Sequence, residues 1–152
     1  MRGGLELRVW RARWPGGTLH VEDLAPLLAD GRVRVVALTA ASNALGLKTP
    51  VAAAAAAARS AGAMIVVDAV HYAPHALPDV RAWGADFVLF SPYKVFAPHL
   101  GVLYAAERHI TKLDAPTLWF YARDSMSKLE YGTAPYEALA GAHCVCACVC
   151  DA

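Results

Sequence analysis

Apolar and polar residues alternate loosely from Leu5 to Arg13, and the alternation stops at Pro15-Gly16-Gly17, which predicts a strand ending in a turn. Thr18 or His20 then opens a short helix of about two or three turns. Glu22 and Asp23 fall in its first turn, where the helix dipole favours acids. Leu24, Leu27 and Leu28 share one face, and Gly31 stands just past the end. Val33 to Leu38 is a β-branched apolar run of the kind found in strands buried on both faces. Thr49 is placed to cap the next helix, with Pro50 in its first turn. The seven alanines from Ala52 to Ala58 carry the highest intrinsic helix propensity, and Gly62 ends the run.

Met64 to Val67 reads as a second short buried strand, so strand, alanine helix and strand form a right-handed crossover unit. Past Asp68, two prolines and a helical turn at Val80 to Trp83 lead to a third apolar run, Phe87 to Phe90, expected as a third parallel strand. About ten residues separate it from the apolar run Gly101 to Tyr104. That is too few for a crossover helix, so the fourth strand is predicted antiparallel to the third. A helix from Glu107 to Leu113 follows, then the aromatics Trp119, Phe120 and Tyr121. The fold class is α/β: a mixed, mostly parallel sheet with flanking helices and one antiparallel strand.

With 152 residues, 57% of them hydrophobic and 18% charged, the chain can build one domain with a real core and is too apolar for disorder. A net charge of +1 from interspersed acids and bases leaves no electrostatic footprint for nucleic acid or an anionic membrane. The apolar stretches Val51 to Ala58 and Ala61 to Val67, separated by Arg59, are too short to span a bilayer, and no secretory signal is read at the start. A cytoplasmic location is expected. The four cysteines, Cys144, Cys146, Cys148 and Cys150, all lie near the end, which argues for a reducing compartment and against a disulfide scaffold. On a strand their alternation would put the thiols on one face, but the spacing fits no zinc motif, and no metal site is expected.

In open α/β sheets ligands bind beyond the carboxyl ends of the parallel strands. Three polar clusters fall there: Ser42 and Asn43, then Asp68 and His71, then Ser91, Tyr93 and Lys94. Taken singly, each has an ordinary reading. Asp68 suits a helix cap or turn, Lys94 a solvated charge, Asn43 a left-handed backbone position, and His71 and Ser91 structural roles. Together they place an amine and a carboxylate on neighbouring strand ends. Pyridoxal phosphate (PLP) chemistry needs both, one to attach the cofactor and one to hold its pyridine nitrogen protonated.

The residues also carry a resemblance. Val67-Asp68-Ala69-Val70-His71 resembles the Asp-x-x-Gln or Asp-x-x-His element of class V aminotransferases, and Ser91-Pro92-Tyr93-Lys94 resembles their Ser-x-x-Lys element. Ser42-Asn43-Ala44-Leu45-Gly46 followed by Pro50 is similar to the family's Ser-Asn-x-x-Gly segment, and Tyr131-Gly132-Thr133 to its later Gly-Thr pair. The string from Ser91 to Gly101 is most similar to the cysteine desulfurase-like subgroup.

The resemblance implies part of the large domain of a PLP-dependent transferase of fold type I. Lys94 would form the cofactor Schiff base and move the substrate proton, and Asp68 would pair with the pyridine nitrogen. Asn43 and His71 would hydrogen-bond the phenolic oxygen, with His71 in place of the commoner glutamine. Ser91 and Tyr93 would bind phosphate, Tyr93 standing where many relatives have histidine. Thr133 would donate a phosphate contact across a homodimer interface. The substrate would be a small amino acid, transaminated or cleaved at a carbon–sulfur bond.

By the same resemblance, the family's N-terminal phosphate loop and cofactor-stacking residue have no counterpart before Leu5, and its smaller C-terminal domain, with the substrate-binding arginine, has none either. Residues 1–141 are read as the partial large domain and 142–152 as a Cys-rich tail outside the family pattern. Cys144 to Cys150 follow Lys94 too closely to match the sulfur-accepting cysteine of true desulfurases. An inactive remnant that pairs with a full-length homologue is the alternative. A Rossmann nucleotide site is disfavoured, because Gly46 stands alone where a Gly-x-Gly-x-x-Gly turn is needed.

Overall fold

The computed structural model describes residues 4–121, 125–130 and 132–150, with side-chain burial described as far as residue 147. Helices α1 (Val21–Leu28), α2 (Val51–Ser60) and α3 (Val80–Trp83) alternate with strands β1 (Val35–Thr39), β2 (Met64–Asp68) and β3 (Phe87–Phe90). Strand β4 (Val102–Ala105) and helices α4 (Glu107–Ile110) and α5 (Tyr136–Cys150) complete the order. The sheet runs β1-β2-β3-β4, parallel for the first three strands and antiparallel between β3 and β4. The mixed, mostly parallel sheet is the one the hydrophobic pattern predicts.

The alanine run explains how the core closes. Ala54, Ala55 and Ala58 are essentially inaccessible, so α2 lies close on β2, whose Ile65 and Val67 are equally buried. Leu24 and Leu28 of α1, Val36 of β1 and Val88 of β3 complete this layer. Each methyl or methylene removed from water there contributes about 0.8 kcal/mol, so many small side chains add up to a core.

Several expectations are corrected. Residues Leu5 to Arg13 are extended but form no strand; only an isolated bridge joins Arg13 to Thr18 around the Pro15-Gly16-Gly17 turn. Leu5 and Leu7 are almost fully exposed, because no strand among the described residues pairs with that segment. The first strand is not buried on both faces. Val35 is 47% exposed and Ala37 is exposed as well, since α1 and α2 cover one side of the sheet only. Thr49 does not cap α2: Pro50 occupies the cap position, and the Thr49 N–H is used by the Ala40 carbonyl at 2.9 Å. The helix after Glu107 ends at Ile110 rather than Leu113. The cysteine-bearing end is helix, not strand. Helix α5 runs unbroken across Gly141, and alternate residues on a helix lie 200° apart, so Cys144 and Cys146 fall on opposite sides rather than on one face.

Candidate functional site

Because β1, β2 and β3 are parallel and in register, Thr39, Asp68 and Leu89 stand side by side at one end of the sheet. The three polar clusters follow directly from these positions. Asn43 lies at the exposed tip of a tight loop closed by a bridge between Ala41 and Lys48. The loop is held by the Ser42 N–H to the Leu47 carbonyl at 2.9 Å and by the Leu45 N–H to Ser42 Oγ at 3.2 Å. Gly46 supplies the left-handed conformation (φ 64°) that lets the chain return.

Asp68 is the last residue of β2. Ile65 and Val67 face the helices, so alternation turns Asp68 to the other face with Met64 and Val66. Its Oδ1 accepts the Val70 N–H at 2.9 Å. Among the described residues Oδ2 has no partner, so half of the carboxylate's accepting capacity is open. His71 follows on a helical turn that opens with Tyr72 N–H bonding the Ala69 carbonyl at 3.0 Å. Tyr72 packs edge-on against Trp83, and the Lys48 ammonium lies 5.2 Å from the Tyr72 ring centre, which ties the loop after β1 to the turn after β2.

Beyond β3, Ser91 precedes a 3-10 turn at Pro92–Val95, and its carbonyl accepts the Lys94 N–H at 3.1 Å. Proline at the first position presets that turn. The Lys94 Nζ lies 5.1 Å from the centre of the Tyr93 ring, within cation–π range, and no carboxylate among the described residues pairs with it. His99 stacks on Tyr93, ring centres 4.9 Å apart and planes 10° from parallel. The loop is braced by α5, since a side chain at Gly141 would meet Pro98 Cγ at 2.7 Å. Phe96, at φ 66°, is a non-glycine residue in the left-handed region and is almost fully exposed.

The structure thus brings Asn43, Asp68, His71, Ser91, Tyr93 and Lys94 to the same end of three adjacent strands. Thr133 is exposed in a bend before α5 and has no hydrogen bond to any of them among the described residues. Tyr131, quoted with it in the motif, lies outside the described residues. His99 and Lys48 were not singled out from sequence; loop residues without periodicity carry no local signal of a stacking partner. As a donor set, an acid with an open oxygen and an amine free of a neutralising acid fit the two requirements of PLP.

A second polar cluster sits at the opposite end of the sheet. Buried Asp86 accepts the Ile65 N–H at 2.8 Å and also pairs with Arg108 and His109. Burial alone raises its carboxyl, but the hydrogen bonds from Ile65, His109 and Arg108, with the Arg108 charge, outweigh it and hold the group below the usual carboxylate range.

The family model for class-V aminotransferases matches residues 1–149. A cysteine desulfurase of Klebsiella pneumoniae is 45% identical over 105 residues, which is 68% of this chain and 25% of that protein. An aminotransferase-like protein of Gibberella zeae is 40% identical over 121 residues, 78% of this chain and 30% of that protein. Among solved structures, the cysteine desulfurase CsdA of Escherichia coli superposes with a TM-score of 0.75 at 30% identity, covering 86% of this chain and 36% of that one. Pyridoxamine-pyruvate aminotransferase of Mesorhizobium loti shares the fold, with a TM-score of 0.68 at 20% identity over 84% of this chain. The chain therefore spans between a quarter and a third of the length of the curated relatives it matches. No helix among the described residues is long and apolar enough to cross a membrane. By the extent of the family match and the order of its motifs, the chain belongs to the class-V aminotransferase family.

Proposed function

We propose that the chain carries the lysine-bearing half of a PLP site and that Lys94 is the residue to which the cofactor attaches. The observation that supports this most is the pair at adjacent strand ends: Asp68 with an open carboxylate oxygen, and Lys94 with its amine held over Tyr93 rather than by an acid. When bound, the cofactor supplies an electron sink for the α-carbon of an amino acid. Asp68 accepts the pyridine N–H, and His71 and Asn43 hydrogen-bond the ring oxygen and set its tilt. Ser91 and Tyr93 bind phosphate oxygens. Lys94 takes and returns the proton at the substrate α-carbon. A small amino acid is the substrate class, processed by transamination or carbon–sulfur cleavage, and Thr133 serves a neighbouring subunit's phosphate in a homodimer.

A second reading is a non-catalytic partner that binds a longer homologue through the exposed surface around Thr133. Titration of the purified chain with PLP separates the two. Visible-range absorbance that saturates, and that Lys94→Ala abolishes, supports the first. Co-purification with a longer homologue, with no cofactor retained, supports the second.

A further inference from the structure

We infer that His99 is a positioning residue for the Lys94 amine: the imidazole holds the Tyr93 ring, and the ring holds the amine. Its bearing on function rests on the cofactor reading, since only a bound cofactor gives the amine a reaction. The geometry itself needs no cofactor.

The Lys94 Nζ lies 5.1 Å from the centre of the Tyr93 ring. Among the described residues it forms no ion pair with a carboxylate. A lysine ammonium rides on a flexible stem, so its position follows that of the partner it has. Here the partner is an aromatic face, which attracts a cation through its quadrupole. Tyr93 is itself 42% exposed, so core packing does not fix its ring. The constraint has to come from another neighbour.

His99 supplies it. Its ring lies on that of Tyr93 with centres 4.9 Å apart and planes 10° from parallel. Flat rings attract in this offset arrangement, and each stops the other from turning about its own side-chain bond. Both residues are exposed, so the stack governs the orientation of Tyr93 far more than the stability of the core.

The backbone explains why residues 93 and 99 meet. The 3-10 turn at Pro92–Val95 ends at Phe96, whose φ of 66° reverses the chain. The Phe96 N–H and, at 3.2 Å, the Ala97 N–H both donate to the Pro92 carbonyl. A non-glycine residue stays in the left-handed region only where its surroundings over-determine it. Pro98 then lies so close under α5 that a side chain at Gly141 would meet its Cγ at 2.7 Å. Fixed at the turn and at the helix, the chain returns His99 to Tyr93 before β4 opens at Val102. An amine held in this way starts from one approach to a carbonyl carbon instead of many.

The test uses the full chain after reductive methylation with carbon-13 formaldehyde, which labels each lysine amine and keeps its charge. Proton–carbon NMR reads the amines separately, and Lys94→Arg assigns the Lys94 signal. That signal is expected upfield of the Lys112 signal, shifted by the ring current of Tyr93. His99→Ala should move it to the Lys112 position, and His99→Phe, which keeps a flat ring, should restore it. The Lys48 signal, set by the Tyr72 ring, should stay in place in every variant. The urea midpoint should not move, because His99 is exposed. A role in stability alone would lower that midpoint and leave the Lys94 signal where it was. In a second arm the unmethylated chain is incubated with PLP and reduced with borohydride. The share of label on Lys94 should fall about threefold in His99→Ala, as for the loss of one exposed cation–π contact, and recover in His99→Phe.

The inference is overturned by a Lys94 signal that is unshifted in the parent or unmoved by His99→Ala, by failure of His99→Phe to restore it, or by selective labelling that His99→Ala leaves unchanged. Unselective PLP labelling of the parent, with the NMR shifts as expected, overturns the cofactor reading and supports the positioning. Selective labelling of Lys94 with an unmoved NMR signal does the reverse.

Discussion

Replacing Asp86 by alanine removes a side chain that joins β2, β3 and α4 at the end of the sheet away from the candidate site. The main-chain N–H of Ile65, a residue 1% exposed, loses the acceptor it now has at 2.8 Å. A buried donor left unmade costs about 1–3 kcal/mol. Loss of Arg108, whose side chain is 53% exposed, adds at most about 1 kcal/mol after screening by solvent. The sum is a destabilisation of about 3 kcal/mol, or roughly 6–12 °C in Tm for a chain of this size. Asp86→Asn keeps an acceptor for Ile65 and should cost about 1 kcal/mol. The pH dependence has a definite sign. Because the folded carboxyl is held below its ordinary value of 3.8, its contribution is complete above that value and is lost as pH falls through the lower folded one. Urea unfolding followed by Trp fluorescence at pH 7 and at stepwise lower pH measures both effects. An alanine variant within about 0.5 kcal/mol of the parent at pH 7, or a gap that widens on acidification, refutes the reasoning.

Ala54 is fully buried where α2 meets the sheet, so Ala54→Leu overpacks the layer and should lower stability by about 1–3 kcal/mol, read as a lower urea midpoint. Gly84→Ala forces a Cβ into a left-handed position (φ 61°) beside the Arg59 guanidinium and should cost about 1–2 kcal/mol in the same assay. Arg8→Ala releases the tether to the Leu27 carbonyl and Asp30; amide exchange should accelerate over residues 5–10 while β2 stays protected.

The elements that sequence revealed are those whose local pattern and tertiary role agree. Phe87–Phe90 and Val80–Trp83 form with the predicted bounds, and the short connection after Phe90 correctly requires an antiparallel β4. Leu5 to Arg13 has a strand's alternation, but a strand also needs a neighbour, and no periodicity within a segment reports whether one is present. Val35 and Ala37 failed for the same reason: an apolar run fits a strand covered twice, while the covering layer is set elsewhere in the chain. The alternation of the cysteines would line up thiols only on a strand, whereas the alanine-rich, proline-free stretch after Tyr136 favours helix. The placement of Asp68 and Lys94 at neighbouring strand ends was legible because strand ends follow from hydrophobic runs. Asp86, Arg108 and His109 were not, since their meeting depends on the β3–β4 register that brings Phe87 opposite Ala105.

The central claim is that the carboxylate of residue 68 and the amine of residue 94 serve one cofactor. Incubation of the chain with PLP, reduction with borohydride and peptide mapping by mass spectrometry reports which lysine has reacted. The account predicts label concentrated on Lys94 over Lys48, Lys112 and Lys128, falling about tenfold in Asp68→Ala, as expected for the loss of a hydrogen bond to a charged group. Label spread evenly over the four lysines, or unchanged when Asp68 is replaced, would contradict it.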